Sequence, residues 1–190
     1  MSRHGLIQGK YRHEDGLWDD IRVPANVVVN VPGPLEPVWL PFIDDGGGSE
    51  GTYALWYDID HQSFFNIQLP HSWKIGTPII PHVHWSTDAG GGPGNVQWHI
   101  EWVDAAVLTP FPPASTLMPS DIDSVSGPYF HEVVGFPAPI FPTGLSHMLL
   151  GRLSRIAIGV DDYPGLIALL EIDFHFQLDD MGSVAPFVKG

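Results

Sequence analysis

Alternation of apolar and polar residues is the clearest pattern in this chain, and it predicts β-strands. In residues 96–102 the side chains of Val96, Trp98, Ile100 and Trp102 share one face, while polar side chains occupy the other. Residues 166–178 alternate in the same way, with Leu170, Ile172, Phe174, Phe176 and Leu178 on the apolar face. Aromatic and β-branched runs bounded by turn residues predict further strands at 27–31, 38–43, 53–58, 64–69, 79–86 and 130–136.

Two segments are less regular. Residues 146–160 fit either a short helix or a long strand, and the β-branched residues at their end favour the strand. Residues 105–128 are rich in Pro, Ser and Thr and are predicted to be a long excursion over the surface.

Residues 1–17 show no period and are predicted to be an irregular N-terminal arm, which leaves residues 18–190 as one domain.

About eight to ten strands without a convincing long helix predict an all-β fold, an antiparallel β-sandwich. A jelly roll is the commonest closed form of such a sandwich. The 21 glycines and 19 prolines among 190 residues agree with a fold that has many turns.

Charge narrows the range of partners. Eight basic residues against 22 acidic ones give a net charge of −14, which excludes nucleic acid as a direct partner because phosphate contacts need clustered Lys and Arg. No apolar run is long enough for a membrane span, so we expect a soluble protein with no membrane partner. Charged residues make up only 16% of the chain, and we therefore expect partner subunits to cover part of the surface. A surface of uncharged polar residues and backbone is the alternative.

Candidate chemistry begins with two histidines. His82 and His84 lie two apart in a predicted strand, so their imidazoles stand side by side and can chelate one metal ion. With Gly76 they form Gly-x5-His-x-His, which resembles the first half of the cupin metal motif. The remainder of that motif is poorly matched, and a cupin-like metalloenzyme is therefore a lesser alternative. There are no cysteines, which excludes disulfides, thiolate zinc sites and cysteine nucleophiles.

A larger polar face forms if the strands around 82–84, 97–101 and 171–177 are neighbours. The candidate metal ligands on that face are His82, His84, His99, Glu101, Asp173 and His175, with Glu171 beside them. Such a face can hold a structural metal ion, satisfy itself by hydrogen bonds between imidazole and carboxylate, or lie where subunits meet. No other cofactor and no catalytic residue is predicted. Adjacent carboxylates such as Asp161 and Asp162 are predicted to be solvated.

Several segments together resemble a family of small tailed-bacteriophage and prophage proteins. They are WDDIRVPA at 18–25, QLPHSWKIGT at 68–77, PHVHW at 81–85, LEIDFHFQ at 170–177 and DMGS at 180–183, and they span most of the chain in this order. The family usually has Glu where this chain has Ile75. Its members are mostly uncharacterised, and it implies no catalytic residues.

The resemblance implies a virion structural protein and not an enzyme. Among virion structural proteins, the resemblance most favours a trimeric, jelly-roll decoration (cement) protein that stabilises the phage head. The expected partners are other copies of the chain and the major capsid protein or other virion proteins, assembled in the host cytoplasm. A tail spike or fibre component that binds a receptor is the main alternative, and a carbohydrate-binding module is a further one.

Overall fold

The computed structural model describes residues 16–44, 46, 51–156 and 160–179. In that part of the chain the strands are β1 (Leu17–Pro24), β2 (Val38–Ile43), β3 (Thr52–Tyr57), β4 (Gln62–Gln68), β5 (Ile79–Thr87), β6 (Asn95–Val96), β7 (Trp98–Ala105), β8 (Thr116–Pro119), β9 (Asp123–Ser124), β10 (Glu132–Gly135), β11 (Met148–Arg155) and β12 (Ile167–Leu178). A single-turn 3-10 helix, Ala25–Val27, follows β1. Most of the predicted arm lies outside the described residues, and Leu17, its last residue, begins β1.

The strands form two main antiparallel sheets. The first sheet has the order β10-β5-β12-β3-β2, and β1 also pairs with β12, beyond the stretch of β12 that pairs with β3. The second sheet has the order β4-β11-β7-β8, and β6 and β9 form a separate two-stranded ribbon. The predicted all-β, antiparallel sandwich is confirmed.

Aromatic side chains join the inner faces of the two sheets. Phe65 on β4 packs on Phe174 on β12 with ring centroids 5.7 Å apart, and Tyr57 on β3 meets Trp98 on β7 edge-on at 5.1 Å. The predicted inward face of 96–102 is confirmed, because Val96, Trp98 and Ile100 are fully buried and Trp102 packs against the same core. Removing these large apolar surfaces from water is the main force that holds the sheets together.

Two predicted segments differ from the structure, and one strand was not predicted. Residues 27–31 do not form a strand; they leave the 3-10 helix, and Val29 makes only an isolated bridge to Phe64. Prolines at 24, 32 and 34 lie on either side of this run and lack backbone donors, so a ladder of hydrogen bonds cannot extend past it. The excursion at 105–128 contributes β8 to the second sheet, whereas β1 was not predicted at all.

A β-bulge changes the apolar pattern of β12. Leu169 pairs with Trp85 and Glu171 with His84, so Leu170 is an extra residue without a partner in β5. Before the bulge Ile167 and Leu169 face the core; after it the core residues are Ile172, Phe174 and Phe176. The prediction that Leu170 shares the core face is therefore wrong, because the bulge shifts the alternation by one residue.

A buried ion pair joins β11 to the segment that leads into β12. Arg155, at the end of β11, and Asp161 both have fully buried side chains. The guanidinium donates to Asp161 through Nε at 3.0 Å and Nη2 at 2.8 Å, and it also donates to the carbonyls of Tyr57, Tyr163 and Gly165. Asp161 is not solvated as predicted, and its carboxylate satisfies a guanidinium that has no access to water.

We predict that Asp161→Asn destabilises the fold by about 3 kcal/mol, because it leaves the Arg155 charge buried without a counter-ion. Urea unfolding followed by tryptophan fluorescence measures this change. Asp121→Asn is the matched control, since Asp121 is exposed and its loss of charge should change stability by less than about 0.5 kcal/mol. Equal effects of the two substitutions would contradict the structural role of the pair.

Candidate functional site

The candidate site lies on the outer face of the first sheet, where β5 and β12 run side by side. His82 is paired with Asp173 and His84 with Glu171 in the antiparallel register. Val83 and Ile172, the residues between them, are fully buried in the core on the other face. Side chains that follow the period of two must therefore place His82, His84 and Asp173 together, away from the interior of the sandwich.

Three ligand-type atoms converge at this point. The Nε2 atoms of His82 and His84 are 3.0 Å apart. Asp173 Oδ2 lies 3.4 Å from His82 Nε2 and 3.2 Å from His84 Nε2. Two imidazole nitrogens and one carboxylate oxygen thus form a compact triangle, which we call the His82–His84–Asp173 triad.

A second layer of polar side chains orients the triad. His131, just before β10, places its Nε2 2.8 Å from His84 Nδ1. The ring of His175 stacks on that of His82 with centroids 4.3 Å apart, and the carboxylate of Asp20 on β1 contacts Nδ1 of His175. Contacts of this kind fix the tilt and the tautomer of an imidazole.

Burial sets the protonation of the triad. Desolvation, together with repulsion from the imidazolium charges of His175 and His84, lowers the pKa of His82 to about 4. His82 is therefore neutral at pH 7, and its contact with Asp173 is not an ion pair at that pH. Burial, followed by repulsion from Glu171, raises the pKa of the Asp173 carboxyl.

The triad lines a shallow pocket of about 520 Å³, which is open to solvent. The other side chains and backbone around the pocket come from β1, β5, β10 and β12, and they are Asp20, Ile80, Pro81, Val133, Gly135 and His175. A ligand bound to the triad can therefore be approached from outside without any opening of the sandwich.

The structure brings together four of the six candidate ligands predicted from sequence and separates two. His82, His84, Asp173 and His175 lie on β5 and β12, whereas His99 and Glu101 lie on β7 in the other sheet. His99 is buried there, and Glu101 forms an ion pair with Arg152. The hypothesis that the strand at 97–101 lies beside the strands at 82–84 and 171–177 is therefore wrong.

Two residues that surround the triad were not predicted from the sequence. Asp20 belongs to β1, which was not predicted, and His131 precedes the short strand β10. His131 lies within the strand predicted at 130–136, but the pattern of that run does not show that the strand pairs with β5. For Asp20, the alternation of Ile21 and Val23 with polar residues was the available signal.

The outer position of the triad bears on the cupin-like alternative. Ligand cavities of β-barrels lie inside the barrel. In this chain the interior between the sheets is filled by core side chains such as Trp85 and Phe174, and the imidazoles point the other way. The resemblance of His82 and His84 to half of a cupin motif therefore does not extend to the position of the site.

A second polar pair, Ser146 and His71, has the residue types of a nucleophile and a base but is not accessible to a substrate. Ser146 Oγ lies 2.7 Å from His71 Nε2, and Ser146 has a positive φ of 55°. Ser146 is only 1% exposed, however, so a substrate cannot reach its hydroxyl. This pair forms a partly buried hydrogen bond between the segment after β4 and the segment just before β11.

No protein-family model matches the chain, and no curated protein matches it. Within the described residues, no helix combines the length and the apolar character that a bilayer crossing demands.

We predict that stability falls as the pH drops below about 6.5, in part because of His99. Burial lowers the pKa of His99, and the nearby Asp161 only partly offsets this shift. In this pH range His99 is protonated in the unfolded chain but neutral in the folded chain. The free energy of unfolding therefore falls by up to about 1.4 kcal/mol per pH unit below the unfolded pKa of His99. This decrease ends at the lower pKa that His99 has in the folded chain.

Urea unfolding at several pH values between 7.5 and 5 measures this slope. The variant His99→Gln should show a shallower decline than the parent protein. An unchanged slope in His99→Gln would contradict this origin of the acid sensitivity.

Proposed function

We propose that this protein is a structural subunit of a bacteriophage particle, a homotrimeric decoration (cement) protein that stabilises the head and has no catalytic activity. The observation that carries the proposal is strand β2, an apolar edge strand whose side chains are exposed on both of its faces. The resemblance of the sequence to phage virion proteins supplies the class of particle.

Strand β2 lies at the edge of its sheet but has the apolar composition of an interior strand. Its residues are Val-Trp-Leu-Pro-Phe-Ile, and Val38, Trp39, Leu40 and Ile43 are each 38–49% exposed. No strand pairs with its outer edge among the described residues. A free chain with such an edge is prone to association, so a covering partner is the physical resolution.

The form of this edge favours cover by side-chain packing. Pro41 lacks a backbone donor, and the register of β2 with β3 shifts between Pro41 and Ile43. Both features hinder the addition of a further hydrogen-bonded strand. A partner subunit that packs on Trp39 and Leu40 avoids this difficulty and gives an aromatic anchor of the kind found at subunit interfaces.

The order of the strands supports the jelly-roll part of the proposal. Between β3 and β12, every connection between strands of the two main sheets passes from one sheet to the other, except β7–β8. Without β1 and β2, the two sheets have the orders β3-β12-β5-β10 and β4-β11-β7-β8. Two four-stranded antiparallel sheets connected in this way correspond to a pair of Greek keys.

The tryptophans favour a subunit interface over a glycan site. Trp56, Trp73, Trp85 and Trp98 are buried, and the exposed ones are Trp18 on β1 and Trp39 on β2. Trp39 lies among other exposed apolar side chains of its strand and not among the polar groups that orient a sugar. A receptor-binding tail component is the alternative for the same virion class.

We predict that Trp39→Asp weakens self-association by about 2 kcal/mol or more, roughly 30-fold in the dissociation constant, because it places a charge in an apolar contact. Sedimentation equilibrium of the full chain over a range of concentrations measures the effect. Ile75→Glu is the matched control: Ile75 is equally exposed, 48%, and Glu is the residue usual in the family that the chain resembles. A monomeric parent protein would contradict the role of β2.

The virion assignment is tested by counting copies in purified particles of the phage that encodes the chain. Quantitative mass spectrometry should find on the order of hundreds of copies per particle, and particles without the protein should lose their DNA at a lower temperature. A dozen copies or fewer would support the tail alternative, and a complete absence would refute the virion proposal.

A further inference from the structure

We propose that His82, His84 and Asp173 bind one divalent transition-metal ion per chain, of the class that includes Zn²⁺, Co²⁺ and Ni²⁺. This inference does not depend on the proposed virion function, because the geometry of a single chain carries it.

The spacing of the three atoms matches a coordination sphere. Metal–ligand bonds of about 2.1 Å give ligand separations of about 3.0 Å in an octahedral site and about 3.4 Å in a tetrahedral one. The observed separations are 3.0, 3.2 and 3.4 Å. One ion can therefore contact His82 Nε2, His84 Nε2 and Asp173 Oδ2 together, and its other positions face the open pocket.

Hydrogen bonds alone do not satisfy this triangle. A ring nitrogen that donates a hydrogen bond does not also accept one, so hydrogen bonds form along at most two of the three contacts. At least one contact is therefore left without a hydrogen bond. Asp173 Oδ1, the second carboxylate oxygen, is also buried without a hydrogen-bond partner among the described residues. A cation accepts all three lone pairs at once.

Local charge also favours a divalent cation. Asp20, Glu171 and Asp173 lie on this face, and Arg22, which donates to Glu171 at 2.5 Å, is the guanidinium beside them. Three carboxylates and one guanidinium leave a net charge of −2 when the imidazoles are neutral. Asp173 is 6% exposed, and burial makes this uncompensated charge costly.

The donor set indicates the type of metal. Two imidazoles with one carboxylate suit Zn²⁺ and the later first-row metals, whereas Ca²⁺ and Mg²⁺ prefer oxygen ligands throughout. The contact of His131 with His84 and the stacking of His175 on His82 hold the rings in place before a metal arrives. Such preorganisation favours binding without rearrangement of the strands.

The test uses the untagged full chain after removal of metals with a chelator. Titration calorimetry with Zn²⁺, and visible absorption with Co²⁺, should each give one ion per chain. We expect His82→Gln, His84→Gln and Asp173→Asn each to weaken binding by at least about 100-fold, and the positioning variant His131→Gln by about 10- to 100-fold. His131 is exposed, so its variant keeps the test valid if a triad variant fails to fold.

The matched controls are His99→Gln and Glu101→Gln, which change the same residue types on the other sheet and should bind as the parent does. Zn²⁺ should also raise the melting temperature of the parent and of both controls, but not that of Asp173→Asn. The proposal is overturned if the parent takes up no more ion than Asp173→Asn, as a purely hydrogen-bonded cluster would, or if His99→Gln loses as much affinity as His82→Gln.

Discussion

The buried pair of Arg155 and Asp161 is the interaction on which the arrangement of the strands depends. Its guanidinium binds carbonyls of Tyr57 at the end of β3 and of Gly165 just before β12, while Asp161 also accepts the backbone N–H of Gln97 beside β7. One ion pair thus joins both sheets at the point where the chain enters β12. Because neither charge reaches water, each of these partners must stay in place for the pair to be tolerated.

Strand β12 transmits this constraint to the functional face. It starts from the position set by Arg155, and its bulge at Leu170 then moves the alternation by one residue. As a result Ile172 and Phe174 fill the core while Asp173 and His175 face outward, opposite His82. The triad therefore depends on a packing feature of the core, since the apolar residues of β12 fix the side on which its polar residues lie.

Periodicity alone predicted much of the fold and the larger part of the site. The alternation in residues 96–102 and 172–178 gave both the strands and their inward faces, and the spacing of His82 and His84 gave their common side. Periodicity cannot tell which sheet a strand joins, because both sheets obey the same period of two. His99 and Glu101 were therefore grouped with histidines from which the sandwich separates them, and Asp161 was not linked to Arg155 because pairing of a loop residue leaves no periodic trace.

The two proposals concern different regions of one sheet. Strand β2 pairs with β3, and β3 contacts only the first residues of β12, Ile167–Leu169, whereas the triad lies beyond the bulge next to β1. The three metal ligands also come from a single chain. The proposed metal site therefore does not require a subunit contact at β2, and a subunit contact at β2 does not require the metal. Under the two proposals, the ion can bind before, during or after subunit association, and the order of these steps follows from their relative affinities and not from the fold.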